Sequence, residues 1–341
     1  MKLETGNLYF IAERDVLTNT MSSYYKIGLV KESRQGDENT RLKEHQTGNP
    51  RKLSVVDFLT SPAVNELETR MHQQFATRRV FGEWFDLSPA ELKKAIAAAT
   101  QFVARQNDLV PVAKKAAQNK EKGSNGKLAK PTADDRDNFA AALQAQAGTK
   151  LIESITKATK ECFDEVKGLD VSPFINYGES NKSQFDEEKF KAEQPALYKK
   201  FLKDQAVSAR FTWVSDKSVD RTIPKKVVEA VQAQQMLIDA ISKKKPSMAA
   251  LIELHMGILD LLQFKGQFYW DSEDAKARAQ ARCGSFDGID GVCKWVRSGA
   301  TERKFDRGAF KKSHSETFDR YVTYRTVGSL GLVEMRKYPT R

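Results

Sequence analysis

Gly6-Asn7-Leu8-Tyr9-Phe10-Ile11-Ala12 and Tyr24-Tyr25-Lys26-Ile27-Gly28-Leu29-Val30 set the architecture of the N-terminal part of the chain. Both runs are short, apolar and aromatic, so both read as β-strands. The polar stretch 18–23 between them suits a hairpin loop. A third strand is expected over 52–60, where Val55, Val56, Phe58 and Leu59 cluster after the turn Thr47-Gly48-Asn49-Pro50. Residues 39–46 read as a short polar helix. Pro62 opens another, in which Val64, Leu67, Met71 and Phe75 step by three and four along one face. Ser88-Pro89-Ala90-Glu91 is a capping box with proline at the first helical position, so a third helix runs to Val103 or beyond. The expected fold is α+β: a small three-stranded antiparallel sheet flanked by helices, large enough for its own core.

The chemistry-bearing side chains follow in order. Arg41-x-x-x-His45 places a guanidinium and an imidazole on one helix face, and Glu68-x-x-x-His72 repeats the spacing on the next helix. Gly82-Glu83-Trp84-Phe85 closes the segment. A phosphate-binding type, a metal-ligand type and proton-transfer types thus gather in one compact unit, which is what cutting a phosphodiester requires.

With these motifs the segment 6–96 resembles the GIY-YIG nuclease superfamily, in the phage and bacterial branch whose second motif reads Tyr-Lys-Ile-Gly. Asn7-Leu8-Tyr9 stands where that family has Gly-Ile-Tyr, and Tyr25-Lys26-Ile27-Gly28 stands for Tyr-Ile-Gly. Arg41 and His45 match its arginine-to-histidine helix, and Glu68 its single metal-binding glutamate. The resemblance implies a divalent-metal-dependent endonuclease acting on DNA, with one Mg²⁺ or Mn²⁺ ion held by Glu68. It also implies that Tyr9 is the general base and that His45 assists. Either Lys26 stands at the family's second tyrosine position, where it would orient water or lower the pKa of Tyr9, or a one-residue shift lets Tyr25 serve there.

The residue types suit these roles. Arginine offers a planar fork of donors for the extra charge of a pentavalent phosphorane, which stabilises the transition state above the ground state. A glutamate suits Mg²⁺ or Mn²⁺, which keep most of their waters and take one or two carboxylates plus substrate phosphate. Tyr25, Arg51, Lys52 and His72 are expected to contact nucleic acid beside the site. Ordinary structural roles stand beside these. Tyr9 alone would be a strand residue with its hydroxyl at the surface, and Arg41 an exposed helix pair with Glu44 or Glu38. Trp84 and Phe85 would be core plugs, and His72 a capping or packing group.

Composition bounds the remainder. The chain has 341 residues and a formal net charge of +11. It carries 30% charged residues and a negative mean hydropathy. No run approaches the ~20 apolar residues of a membrane span, no secretory pattern is visible at the N-terminus, and Cys162, Cys283 and Cys293 are too few and scattered for a disulfide framework. A reducing cytoplasm is the expected compartment, and no membrane partner is expected.

Three parts are expected: a nuclease-like unit over 1–112, a flexible lysine-rich linker over 113–131, and a mainly helical domain over 132–341 for substrate selection, self-association or partner binding. The linker assignment rests on Lys114, Lys115, Lys120, Lys122, Lys127 and Lys130 around Gly123-Ser124-Asn125-Gly126. Beyond it, helices are expected over 151–166 with Gly168 as stop, over 195–207, from Pro224, and after Ser247; His255 reads as a core histidine. Phe211-Thr212-Trp213-Val214 is a strand candidate. Between 303 and 325, Lys311, Lys312 and Arg320 alternate with aromatic residues, a pattern that grips nucleic acid or simply turns its rings to a core. Phage defence, restriction and processing of phage DNA are the settings in view. The rival readings are a nucleic-acid-binding module that does not cut, and a nuclease subunit controlled by a partner through the C-terminal domain.

Overall fold

Strands β1 (Gly6–Arg14) and β2 (Met21–Lys31) form the expected hairpin, in a register that sets Tyr9 opposite Gly28 and Leu8 opposite Leu29. Asp15 closes the turn by accepting the backbone N–H groups of Leu17 and Thr18. The computed structural model describes residues 2–33, 38–47, 49–166, 169–206, 209–243, 246–297 and 301–338. Gly48 of the expected turn, Gly168 as the expected stop and Val207 at the end of the helix expected over 195–207 lie outside these.

Helix α1 (Glu38–Gln46) leads to β3 (Lys52–Ser61), which pairs with the free edge of β1. Helix α2 (Val64–Gln74) and a short 3-10 turn (Ala76–Arg78) follow. The expected three-stranded sheet is in fact five-stranded, in the order β3-β1-β2-β5-β4, because β4 (Arg79–Phe81) and β5 (Trp84–Asp86) extend it beyond β2. Gly82, at φ 52°, makes the tight turn between them, and the Trp84 backbone pairs with Lys26. Strands of three residues carry no periodicity for a sequence to display.

Alternation along β1 and β2 divides the sheet into two faces. Leu8, Phe10, Ile27 and Phe85 pack with Leu67 and Met71 of α2. Tyr9, Ile11 and Leu53 face the other way, against Leu42 and Trp84.

Helix α3 (Pro89–Lys120) begins with the Ser88/Glu91 capping box and runs through Pro111. The boundary expected at 112 therefore falls inside a continuous helix. Nor is 113–131 a free tether: its first eight residues are the last turns of α3, where Asn119 donates to the Gln280 and Ala281 carbonyls at 3.1 and 2.9 Å. Beyond them Asn125, Lys127 and Ala129 exchange backbone hydrogen bonds with Ser285, Asp287 and Gly288. The lysines occupy the wet side of a segment whose other side is docked.

Helix α4 (Ala133–Glu165) precedes β6 (Ile175–Phe185), α5 (Glu187–Glu193), α6 (Pro195–Lys200) and β7 (Leu202–Ala206), then β8 (Arg210–Trp213), α7 (Lys225–Lys243) and α8 (Met248–Cys283). After these come β9 (Gly288–Ile289), β10 (Cys293–Val296), β11 (Thr301–Phe305), α9 (Arg307–Ser313), α10 (Ser315–Asp319) and β12 (Val322–Leu332). Helices α4, α7 and α8 enclose a core of Ile152, Ile155, Phe163, Leu254, Ile258 and Leu261. His255 is satisfied within it, bonded to the Tyr338 hydroxyl at 2.6 Å and the Val333 carbonyl at 2.7 Å. The helical description of this half is incomplete, because three small sheets join the bundle: β8-β10-β9, β11-β7 and β12-β6. The helix expected over 195–207 stops at Lys200, and Leu202–Ala206 is strand.

Strands β6, β7, β11 and β12 belong to a duplicated unit. Phe185-Asp186, Phe190, Tyr198 and Phe201 recur in the same spacing as Phe305-Asp306, Phe310, Phe318 and Tyr321. Asp186 and Asp306 each cap the helix that follows. Their own N–H groups donate across to the Tyr321 and Phe201 carbonyls at 2.8 and 2.9 Å, a near-symmetric exchange. The shared rings form one aromatic core. Among the described residues no helix is long and apolar enough to cross a membrane.

Candidate active site

Tyr9 is wholly buried in β1, and its ring crosses the backbone of β2 where Gly28 leaves room. A Cβ on Gly28 would stand 2.6 Å from the phenol oxygen, so glycine at this point is a steric requirement. The phenol meets α1: its hydroxyl lies 3.3 Å from His45 Nε2, and the Arg41 guanidinium hydrogen-bonds it as well. Residues four apart on a helix share a face, which is why one short helix delivers both groups.

Burial pushes the Tyr9 phenol up to about 12, against the pull of Arg41. Burial, with the nearby Lys26 and Arg41 charges, holds His45 below its ordinary value. At neutral pH the pair is therefore an un-ionised phenol against a neutral imidazole. Arg41 is also paired with Glu44, yet its Nε is buried without a hydrogen-bond partner among the described residues.

Glu68 approaches from α2. Burial and the neighbouring Glu83 carboxylate raise it from 4.5 to about 7, although Lys26 and Arg79 oppose the shift. Glu83 comes from the β4–β5 turn and is ion-paired with Lys26. Burial works against its charge, but the Lys26 ammonium wins and holds it below the carboxylate range. Both carboxylates act on the Tyr9 phenol as well. Glu83 is the member that sequence reading missed as a site residue. Its signal was its place in Gly82-Glu83-Trp84-Phe85, but only the added strands carry it to Lys26. Lys26 is thus engaged with a carboxylate.

The donor set fits a hard divalent cation. Among the described residues no three His, Cys, Asp or Glu side chains group around one point. Mg²⁺ and Mn²⁺ need fewer, because water and substrate phosphate complete their shells. Glu83 takes the Lys26 ion pair, and Glu68 has no ion pair among the described residues, which leaves its charge for a cation to neutralise.

The remaining candidates divide. His72 donates from Nε2 to the Ile27 carbonyl at 2.8 Å and rests against Phe85, so it braces α2 on β2. Tyr25 is buried on the opposite face of the sheet, in the core with Phe85, and is not a surface contact. Arg51 and Lys52 are exposed at the start of β3, with Arg51 pairing Glu13 at 3.4 Å. Lys311, Lys312 and Arg320 are exposed on α9 and after α10, in the duplicated unit and away from the sheet. The rings between them face inward: Phe305, Phe310 and Tyr321 are buried, and Tyr324 alone of the large aromatics there is well exposed. Cys283 and Cys293 lie together, buried and free.

Neither a curated protein nor a solved structure matches the chain. Residues 7–100 match the family model of the T5orf172 domain, a phage-associated nuclease-like domain related to GIY-YIG-type endonuclease folds.

Proposed function

We propose that the chain is a divalent-metal-dependent endonuclease that hydrolyses DNA phosphodiester bonds, with its chemistry at Tyr9, Arg41, His45, Glu68 and Lys26. One observation carries the reading: the Tyr9 hydroxyl is held between His45 and Arg41, beside the Glu68 and Glu83 carboxylates. A buried phenol that meets a neutral imidazole and an arginine, within the field of two carboxylates, has little use in a structural role, and it serves in-line attack of water on a phosphate.

Arg41 takes the non-bridging phosphate oxygens through its planar guanidinium fork. In the tautomer that carries its proton on Nδ1, His45 Nε2 accepts from the phenol, whose oxygen can then take a proton from the attacking water while its own proton passes to Nε2. The proton ends on an imidazole that was neutral beforehand, so the relay balances. Glu68 would hold Mg²⁺ or Mn²⁺ with support from Glu83, and the ion would polarise the scissile phosphate and assist the leaving oxygen. Lys26 keeps Glu83 ionised and oriented toward that position. The phage association of the T5orf172 domain favours phage DNA processing, defence or restriction as the setting.

The test is incubation of supercoiled plasmid with the purified chain and Mg²⁺ or Mn²⁺, beside an EDTA control and the Glu68→Gln and Arg41→Ala variants. Metal-dependent nicking lost in both variants is expected. Intact plasmid with every metal, together with intact single strands, would leave a binder that does not cut.

A further inference from the structure

Strands β6 and β12 pair over eleven residues, from Ile175 opposite Leu332 to Phe185 opposite Val322. Nine of the eleven residues of β6 are exposed. An isolated two-stranded ribbon is marginal in water, but this one is pinned at both ends. Ile175 and Leu332 belong to the bundle core, and Phe185 and Val322 to the aromatic core of the duplicated unit. Between the anchors β6 is exposed throughout and β12 mostly so, with Val327 and Leu330 half-buried and Val327 opposite Ser180.

The register separates the two faces. Tyr177 lies on one, where its hydroxyl donates to Asp164 of α4 at 2.8 Å and Leu330 beside it packs on the bundle. The opposite face carries Asn176, Ser180, Lys182 and Gln184, with Arg325 and Thr323 across from the last two. That face holds no carboxylate. Lys182 stands directly opposite Arg325, and neither makes an ion pair among the described residues. Like charges set cross-strand repel, so the pair lacks an anion. The side chains around it can both donate to and accept from base edges.

We propose that the Lys182–Arg325 face of this ribbon enters the major groove of duplex DNA and selects the DNA on which the nuclease-like unit acts. Eleven residues span roughly 35 Å, about one turn of duplex. The B-form major groove admits a two-stranded ribbon, whereas the deep, narrow major groove of A-form RNA does not. Charge complementarity therefore selects nucleic acid, and groove shape selects DNA. The inference rests on the reading of residues 7–100 as a unit that acts on nucleic acid.

The test measures binding of a labelled duplex across a salt series in the full-length Glu68→Gln protein, which leaves the probe uncut. Lys182→Ser with Arg325→Ser should weaken binding about tenfold and flatten the log–log salt slope by about two, one phosphate per cation. Exchanging the two cations, Lys182→Arg with Arg325→Lys, should restore both. Unchanged affinity and slope in the double serine variant would overturn the proposal, as would equal binding of double-stranded RNA by the parent protein. Plasmid nicking by the wild type is scored separately. Nicking with ribbon-independent binding sinks the ribbon alone, and ribbon-dependent binding without nicking sinks the nuclease reading alone.

Discussion

Gly28 and Tyr9 stand opposite each other across β2 and β1, and a Cβ on Gly28 would come within 2.6 Å of the Tyr9 hydroxyl. The glycine is what allows the phenol to lie over the neighbouring strand and reach His45. Gly28→Ala should cost about 1–3 kcal/mol of stability through overpacking. The displaced phenol should cut the rate of plasmid nicking about 100-fold. Urea unfolding and nicking rates measured on the same preparation check both. A variant as active as the wild type would remove Tyr9 from the chemistry.

Tyr9 and His45 form one relay, so their losses should not add. Tyr9→Phe and His45→Ala should each lower the cleavage rate by about 10²–10⁴-fold, and the double variant should fall little further. The relay needs a neutral imidazole, and burial holds His45 below 6.5. At saturating Mg²⁺, where the Glu68-linked loss of metal affinity below pH 7 is suppressed, activity should decline as pH falls below the ordinary imidazole value of about 6.5, where the ring gains its proton. Single-turnover rates across pH give the limb, and its absence in His45→Ala assigns it.

Glu68 carries an acid-side signature of its own. Its folded value near 7 lies above the ordinary 4.5, so the fold favours the protonated form. The cost of ionising it is absent below about 4.5, grows through the window between the two values, and is complete above about 7. In EDTA, Glu68→Gln should thus be more stable than wild type by about 1–2 kcal/mol at pH 8, allowing for its partial exposure, and equal to it near pH 4.5. Mg²⁺ should stabilise the wild type alone, with an affinity that falls about tenfold per pH unit below 7. Thermal melts and titration calorimetry read these effects.

The nuclease-like unit is fastened to the bundle by buried charge. Arg70 of α2 bonds Glu66 at 3.0 Å and reaches Asp274 of α8 at 3.7 Å, and all three side chains are almost fully buried. Arg105 holds Asp274 from α3. Arg70→Met should cost about 3 kcal/mol, because Glu66 is left buried without a cation. Adding Glu66→Leu should recover most of the loss. Urea denaturation of the single and double variants checks the pair.

The hairpin, the three main helices of the first unit and the Ser88 cap were legible because each is written in a short window: alternation for strands, steps of three and four for helices, a capping box for a start. Arg41 with His45, and Glu68 with His72, were legible as pairs for the same reason. Strands β4 and β5 were not, since Trp84–Asp86 is strand only through pairing with β2 and Arg79–Phe81 only through pairing with β5. The lysines of 113–131 read as a tether because their charge dominates the composition, while the docking contacts come from Asn119 and from backbone groups. The aromatic pattern between 303 and 325 could be settled only by finding its counterpart at Phe185, Phe190 and Tyr198, with which the rings pack.

Sequence by itself determined the local elements and the kinds of chemistry present, because backbone propensity and side-chain type act over a few residues. Tertiary structure alone decided which of those groups meet. Strand register brought Gly28 beneath Tyr9, the fourth and fifth strands brought Glu83 to Lys26, and burial set the proton affinities of Tyr9 and Glu68. These are long-range effects of packing and low local dielectric, and no window of the sequence contains them.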